Sequence, residues 1–393
     1  MKDHRVSRWG LYVHIPFCQA RCTYCDFNTV TGMVEADHRR YTDALLAEWR
    51  DEALPEGSLV SVFFGGGTPS LVAPELLAGV LCAVQERLKQ SLTDVEVTME
   101  ANPGTVTAEK LAVLRSAGVN RLSIGAQARQ NHHLLSLNRI HDVRAIDETV
   151  VMARAAGYTN INLDAIYGLP EQSQAEWEET VEGLLALKPD HLSLYALTVE
   201  RGTPLKIRVD KGEAVLPDED MVATMAEWGE ARLVQAGLFP YEISNYARPG
   251  FESRHNRLYW DLDPYVALGA GSHAYAFGRR WWNYRGVRRY MAMALDGRDV
   301  TEGQETLTVV EEMREFLWLG LRQRPGVSRS RFSARFGRDP MEFFATPLKQ
   351  FEEQGLLVIA PTGIHLTDRG RDLVNVVARG LVDAPAEASI QTG

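Results

Sequence analysis

Six short runs rich in β-branched and aromatic residues, at 11–15, 60–64, 95–99, 121–124, 160–165 and 191–196, each give way to a longer segment whose apolar positions recur every three or four residues. The runs predict strands. The segments at 37–53, 74–90, 108–117, 145–156 and 174–187 predict helices, several closed by glycine or by a loop containing proline. Strand and helix therefore alternate, which predicts right-handed βαβ units around a parallel sheet. Two architectures satisfy that order, an open doubly wound layer and a barrel. The residues just after each strand favour the barrel: three cysteines, Gly65-Gly66-Gly67-Thr68-Pro69, Glu100-Ala101-Asn102-Pro103, Gly125-Ala126-Gln127, Asp164-Ala165-Ile166-Tyr167-Gly168-Leu169-Pro170 and Tyr195-Ala196-Leu197. Gathering polar groups at the ends of successive strands is how barrel enzymes build sites. Six units instead of eight predict an α/β fold, an incomplete (β/α)6 TIM-like barrel whose open side admits a large substrate.

Beyond residue 240 the pattern changes. Glycine-rich loops carrying Trp260, Tyr265, Tyr275, Trp281, Trp282 and Tyr284 predict a connecting region over 241–300 that covers the barrel. From residue 302, helical patterns through 320 and over 328–336 and 341–354, with strand-like 356–359 and 364–366, predict a small α+β, winged-helix-like portion. That segment is not strongly basic, so plain packing is favoured over DNA binding. The expected division is a core barrel at 1–240, the connecting region at 241–300, a C-terminal domain at 301–382 and a disordered tail at 383–393.

Composition narrows the function classes. The 393 residues are 45% hydrophobic, ample for a large core, and carry 42 Lys+Arg against 52 Asp+Glu for a net charge of −10. Broad electrostatic capture of nucleic acid or anionic membrane needs a basic face, which this balance does not supply. The least charged stretch, 59–84, is broken by the glycine run and by Pro69 and Pro74, so it is not a membrane span. Nothing in the polar first ten residues marks a secretory signal, and the expected location is the cytoplasm.

Four cysteines cannot staple a chain of this size, but three of them crowd together as Cys18-x-x-x-Cys22-x-x-Cys25. Three thiolates this close can hold three irons of a 4Fe-4S cluster while the fourth iron stays open to a non-protein ligand. Zinc is the rival. Structural zinc normally takes four protein ligands, and no fourth cysteine or paired histidine follows at a suitable spacing. Cys82 lies in an apolar helical stretch and is expected to be a small buried hydrophobe.

Tyr12-Val13-His14-Ile15-Pro16-Phe17-Cys18, the cysteine triplet with Tyr24 before its last member, and the loops after the later strands resemble the radical S-adenosylmethionine (SAM) superfamily. Within it they resemble the branch of oxygen-independent coproporphyrinogen III oxidases and their relatives. The resemblance implies that the amino and carboxylate groups of SAM chelate the open iron and that one-electron reduction yields a 5′-deoxyadenosyl radical, the protein's task being to orient this cofactor. It also implies SAM contacts at Tyr12, Tyr24, Gly66, Gly67, Thr68, Glu100, Gln127, Arg139, Asp164 and Ala196. The chemistry of these residues suits that ligand. Backbone without side chains can approach the methionine moiety closely, Glu100, Gln127 and Asp164 offer groups for ribose hydroxyls and the amine, and Arg139 offers a charge-assisted contact to the carboxylate. Taken alone, the glycines would read as a tight turn, Glu100 and Asp164 as helix caps, Arg139 as a surface arginine, and Tyr12, Tyr24 and Ala196 as packing.

Two departures from the pattern of the branch matter, the first for the adenosine environment. Ala128-Arg129 follows Gln127 where the branch has Ser-Phe, and Cys25-Asp26-Phe27 replaces a Cys-x-Cys, with the first strand starting almost at once instead of after a long extension. The Cys25 segment and the short start resemble the HemW-type heme chaperones. So does His255-Asn256-Arg257-Leu258-Tyr259-Trp260, which matches a His-Asn-x-x-Tyr-Trp motif associated there with heme. A neutral imidazole can ligate heme iron while Tyr259 and Trp260 offer flat faces, with Asn256 orienting the ring and His273 as a second candidate ligand. Composition alone would make His255 a hydrogen-bonded packing residue. The resemblance thus implies a heme chaperone that holds a 4Fe-4S cluster, SAM and heme and passes heme to recipient proteins, respiratory membrane enzymes among them. It carries with it a peripheral place at the membrane through a recipient and a cluster-dependent homodimer. No nucleic acid partner is expected and no catalytic residue is assigned. The alternative is an oxygen-independent coproporphyrinogen III oxidase, disfavoured by Asp26-Phe27 and the short start; a radical enzyme on another substrate and an interaction-only scaffold follow behind.

Overall fold

The computed structural model describes residues 8–383. The polar start and the tail beyond Asp383, with the expectations attached to them, lie outside the described residues. Strands β1 (Arg8–Ile15), β2 (Ser58–Gly66), β3 (Glu96–Ala101), β4 (Arg121–Gln127), β5 (Asn160–Tyr167) and β6 (His191–Ala196) pair in parallel in that order, with helices between them. The sheet curls without closing, which is the incomplete barrel the strand-end residues predict. Helix starts follow local chemistry. Ser173 and Glu176 form a capping box on the helix Gln174–Ala186, Asp142 caps Val143–Ala155, and Pro74 occupies the first turn of Pro74–Leu88.

Strands in and next to the region 241–300 extend the same sheet at both edges. Strands β7 (Phe239–Pro240) and β8 (Asn245–Ala247) lie beyond β6, with β8 antiparallel to it, while β9 (Tyr265–Leu268) adds in parallel to β1. Outward from β9 run β10 (His273–Ala276), β11 (Arg279–Asn283) and β12 (Thr301–Thr306), each antiparallel to its neighbour. Residues 302–306 are therefore strand and not the start of a helix. Their side chains lack an apolar stripe and pair across to β11, Arg280 with Glu305 at 3.1 Å and Arg279 with Gln304 at 3.0 Å. The helix Val309–Gly320 begins only after Thr308, which caps it together with Glu311. A smaller sheet of β13 (Val327–Ser328), β14 (Leu357–Ile359) and β15 (Gly363–Leu366) packs with the C-terminal helices around Phe316, Phe332 and Phe344. No helix among the described residues is long and apolar enough to cross a membrane.

The parallel strands carry two kinds of face. Val97, Met99, Leu122, Ile124, Ile161, Leu163, Leu192 and Leu194 are buried in the main hydrophobic core. The alternate positions Glu100, Arg121, Ser123, Asn162, Asp164 and Ser193 line a cavity inside the barrel. An ordinary barrel fills that space with branched apolar side chains; this one fills it with hydrogen-bonding groups. Cys82 corrects an expectation: it is exposed, its thiol 3.4 Å from Glu86 Oε1. Leu77, Val80, Leu81 and Val84 form the buried face of its helix, and the 3.6-residue turn places position 82 away from them.

Candidate functional site

A cavity of about 530 Å3 runs from the cysteine loop down into the barrel, within the range of ligand-sized sites. Its wall includes Cys18, Cys22, Cys25 and the ten residues singled out for SAM: Tyr12, Tyr24, Gly66, Gly67, Thr68, Glu100, Gln127, Arg139, Asp164 and Ala196. Residues from six strand ends and two distant loops meet there because parallel strands point all their C-terminal ends the same way.

The cysteine loop is fastened from several sides. Cys18 N–H donates to Val30 O at 2.9 Å, Val30 N–H to Pro16 O at 2.8 Å, Thr23 N–H to Leu137 O at 3.0 Å, and the Asn138 amide to Arg21 O at 2.8 Å. His14, buried beneath it, touches the Tyr12 hydroxyl at 3.1 Å and Asn28 O at 2.9 Å. Burial raises the Cys18 and Cys25 thiols above their ordinary value, so any metal they take must displace their protons.

Arg139 links the loop to the strand ends. Its guanidinium donates to Asn102 Oδ1 and to Gly125 O, each at 2.6 Å, and lies 3.4 Å from Cys22 Sγ. The Asn102 amide donates in turn to Thr68 Oγ1 at 2.9 Å, whose hydroxyl stands 3.7 Å from Cys18 Sγ. Asn102 is thus a site residue, quoted in its loop motif but given no role from sequence.

Glu100 and Asp164 sit deeper. Glu100 accepts the Gly66 N–H at 3.0 Å; burial, helped by the Asp164 charge, pushes its carboxyl up to about 7. Asp164 is raised by burial as well, against hydrogen bonds from Asn162 at 2.8 Å and Ser123 at 3.2 Å. Two half-buried carboxylates that, among the described residues, form no salt bridge and share only the more distant Arg121 charge make this end of the cavity fit a cationic ligand. Arg139 at the other end fits an anionic group beside the thiols. SAM carries groups of both signs, a carboxylate and the positive amine and sulfonium, and they are matched in kind by this lining.

The glycines, besides lining the cavity, are required by packing. Gly66 adopts φ +109°, and a Cβ there would fall 2.3 Å from the His14 ring; one on Gly67 would fall 2.7 Å from Phe17 O. Gly67 lets β2 and the segment leading to Cys18 pack backbone to backbone, and Gly66 makes room for the His14 ring. Gln127 takes φ +69° at a register shift between β4 and β5, a bulge that turns its side chain into the wall.

The His-Asn-x-x-Tyr-Trp segment forms the helix Arg254–Trp260, seated under the barrel. Glu96 anchors its start, accepting the backbone N–H of Arg254 at 3.0 Å and of His255 at 3.1 Å. His255 is fully buried, with Ser61 Oγ 2.8 Å from Nδ1 and Tyr259 OH 2.8 Å from Nε2. Burial, and then Arg121, pushes its pKa down to about 3. Its ring is held by Ser61 and Tyr259, not by Asn256 as expected. Tyr259 and Trp260 do not share a face: Tyr259 lines the main cavity and Trp260 a second one. His273 lies outside both cavities, exposed on β10 and stacked on Trp282 at 5.8 Å. Further wall residues without a sequence-based role are Arg121, Ser123, Asn162, Ser193 and Asn245. Arg121 is 2% exposed with its Nε unsatisfied, a buried charge at the cavity floor.

Residues 12–184 match the model of the Radical SAM superfamily, and residues 307–373 that of the HemN C-terminal domain. The chain is 35% identical over 368 residues to the heme chaperone HemW of Bacillus subtilis, spanning 93% of this chain and 97% of that one. It is 37% identical over 380 residues to the heme chaperone HemW of Mycobacterium tuberculosis, spanning 95% of each. Among solved structures, coproporphyrinogen III oxidase (HemN) from Escherichia coli, a radical SAM enzyme, superposes with a TM-score of 0.83 at 23% identity over 97% of this chain and 91% of that chain. At that identity the likeness speaks for the fold alone.

Proposed function

The chain belongs to the HemW heme chaperone family within the radical SAM superfamily, and from that premise we propose that it binds heme and passes it to recipient proteins. Cys18, Cys22 and Cys25 would hold a 4Fe-4S cluster, and the cavity behind them would hold SAM. When bound, these groups supply one-electron and radical chemistry. The residues of the chain bind and orient: Arg139 and Asn102 brace the thiols and offer a cation to the SAM carboxylate, Glu100 and Asp164 face its positive groups, and Gln127 and Ala196 complete the wall.

One observation carries this reading. Identity of 35% extends over 97% of a heme chaperone's length, so the relationship covers the C-terminal region as well as the cluster loop. Asp26-Phe27 after the last cysteine supports cargo handling over coproporphyrinogen oxidation, since the oxidases carry a further cysteine there. Respiratory enzymes that carry heme in the membrane are the proposed recipients.

The test is transfer. Heme-loaded, cluster-reconstituted protein freed of unbound heme is mixed anaerobically with an apo b-type cytochrome, and the cytochrome's spectrum is followed. Appearance of the holo-cytochrome at the expense of the donor's heme is expected. Retention of heme by the donor, with consumption of coproporphyrinogen III in a parallel assay, would replace the chaperone reading with the oxidase.

A further inference from the structure

The helix Arg254–Trp260 divides its motif between two cavities. A step of one residue turns the helix by roughly 100°. His255 and Tyr259 enter the main cavity, while Arg257 and Trp260 line a second of about 670 Å3, bounded on its far side by residues of the C-terminal sheet.

Three side chains of this second cavity stand out. His365 on β15 alternates with the buried Ile364 and Leu366, so its half-buried ring is turned out of the C-terminal core and into the cavity. Among the described residues its imidazole enters no hydrogen bond or ion pair. Arg257 is exposed, and among the described residues its guanidinium likewise has no partner. Trp260 contributes an indole whose buried Nε1–H is unsatisfied. The other charges are already matched. Arg8 bonds Asp261 at 2.5 Å and Asp263 at 2.7 Å, and Arg331 bonds the same two carboxylates at 2.6 and 3.3 Å. Two guanidiniums thus balance two carboxylates, and Arg257 is left as the positive charge in excess. Pro325 adds apolar wall, backed by Phe316 and Val327 of the buried C-terminal core.

We infer that heme is held in this second cavity, with His365 as the axial ligand, Trp260 against the macrocycle and Arg257 paired with a propionate. The inference rests on the reading of the chain as a heme binder and moves the site away from His255. An iron ligand needs a nitrogen lone pair open to the ligand. Both nitrogens of His255 are engaged and the ring is fully buried, whereas His365 is open. A flat dianion also needs an aromatic or apolar wall and a cation for its carboxylates. Both are present beside His365.

The experiment is an anaerobic heme titration of the cluster-reconstituted full chain, followed by Soret absorbance, for the unmutated protein and for His365→Ala, Arg257→Glu and His255→Ala. His365→Ala is expected to weaken binding by about tenfold or more. It should also lose the spectrum of histidine-ligated heme and regain it on addition of free imidazole, with the cluster absorbance unchanged. Arg257→Glu should weaken binding without changing the ligation spectrum, and His255→Ala should leave that spectrum intact. Histidine ligation that survives in His365→Ala and disappears in His255→Ala overturns the inference while leaving the chaperone reading standing. No saturable binding by the unmutated chain overturns the reading on which both rest.

Discussion

The hydroxyl of Tyr259 lies 2.8 Å from His255 Nε2, one turn back along the same helix, and Ser61 completes the ring's bonding at Nδ1. Gly10 leaves room for this arrangement, since a Cβ there would meet Leu258 at 2.5 Å and Ser61 Oγ at 2.9 Å. Through these bonds His255 ties its helix to β2 at the barrel floor. His255→Ala strands the buried Ser61 hydroxyl and frees that of Tyr259, which faces the cavity, and a loss of about 1–3 kcal/mol in stability is expected from the buried group. Urea unfolding of the cluster-loaded protein checks this; an unchanged midpoint would contradict it.

Cys22→Ala removes one of three thiols and the one nearest Arg139. Two remaining thiolates cannot fill three iron positions. Anaerobic reconstitution should then give little iron per chain and little brown absorbance, while Cys82→Ala, on an exposed helix face, should give the full complement. Full iron in Cys22→Ala would remove the thiol from the ligand set.

Glu100 gives the site a pH dependence whose sign follows from its raised value of about 7. An acid raised on folding binds more protons folded than unfolded between its ordinary range and about 7, so ligand-free stability falls as pH rises through that window. A cationic ligand favours the ionised carboxylate. The thermal stabilisation given by SAM should therefore grow from about pH 6 to about 7.5 and flatten in Glu100→Gln. A pH-independent stabilisation in the unmutated protein would contradict the assigned role.

Gly66→Ala tests the packing role of the glycine run. It places a Cβ 2.3 Å from the His14 ring at φ +109°, and strained backbone of this kind costs about 1–3 kcal/mol before the clash is relieved. Lower stability and poorer iron retention are expected together, because His14 also holds Asn28 O in the cysteine loop at 2.9 Å. Iron retention unchanged alongside lower stability would separate the two.

The strand ends were legible in the sequence because their loops carry residues that ordinary turns do not need, and the structure brings all of those loops to one cavity. The barrel interior was legible too, though by a signal that apolar runs conceal. Parallel strands covered on both faces usually read as continuous apolar stretches. Here Glu96-Val97-Thr98-Met99-Glu100, Arg121-Leu122-Ser123-Ile124 and His191-Leu192-Ser193-Leu194 alternate. Reading that alternation finds Arg121, Ser123 and Ser193. The surroundings of His255 had no local signal at all. Its partners Ser61 and Glu96 are 194 and 159 residues away along the chain, so no pattern around the motif distinguishes a floor brace from an open ligand. The strand at Thr301–Thr306 was hidden for a similar reason, since its partner strand, not its own polarity, defines it.

The most direct measurement of the central claim is an anaerobic titration of the cluster-reconstituted chain with heme, followed by Soret absorbance to saturation. A heme chaperone should take up one heme per chain with a sharp break at equivalence and release it unchanged. A linear, unsaturable rise, with coproporphyrinogen III consumed under the same conditions, would contradict the account.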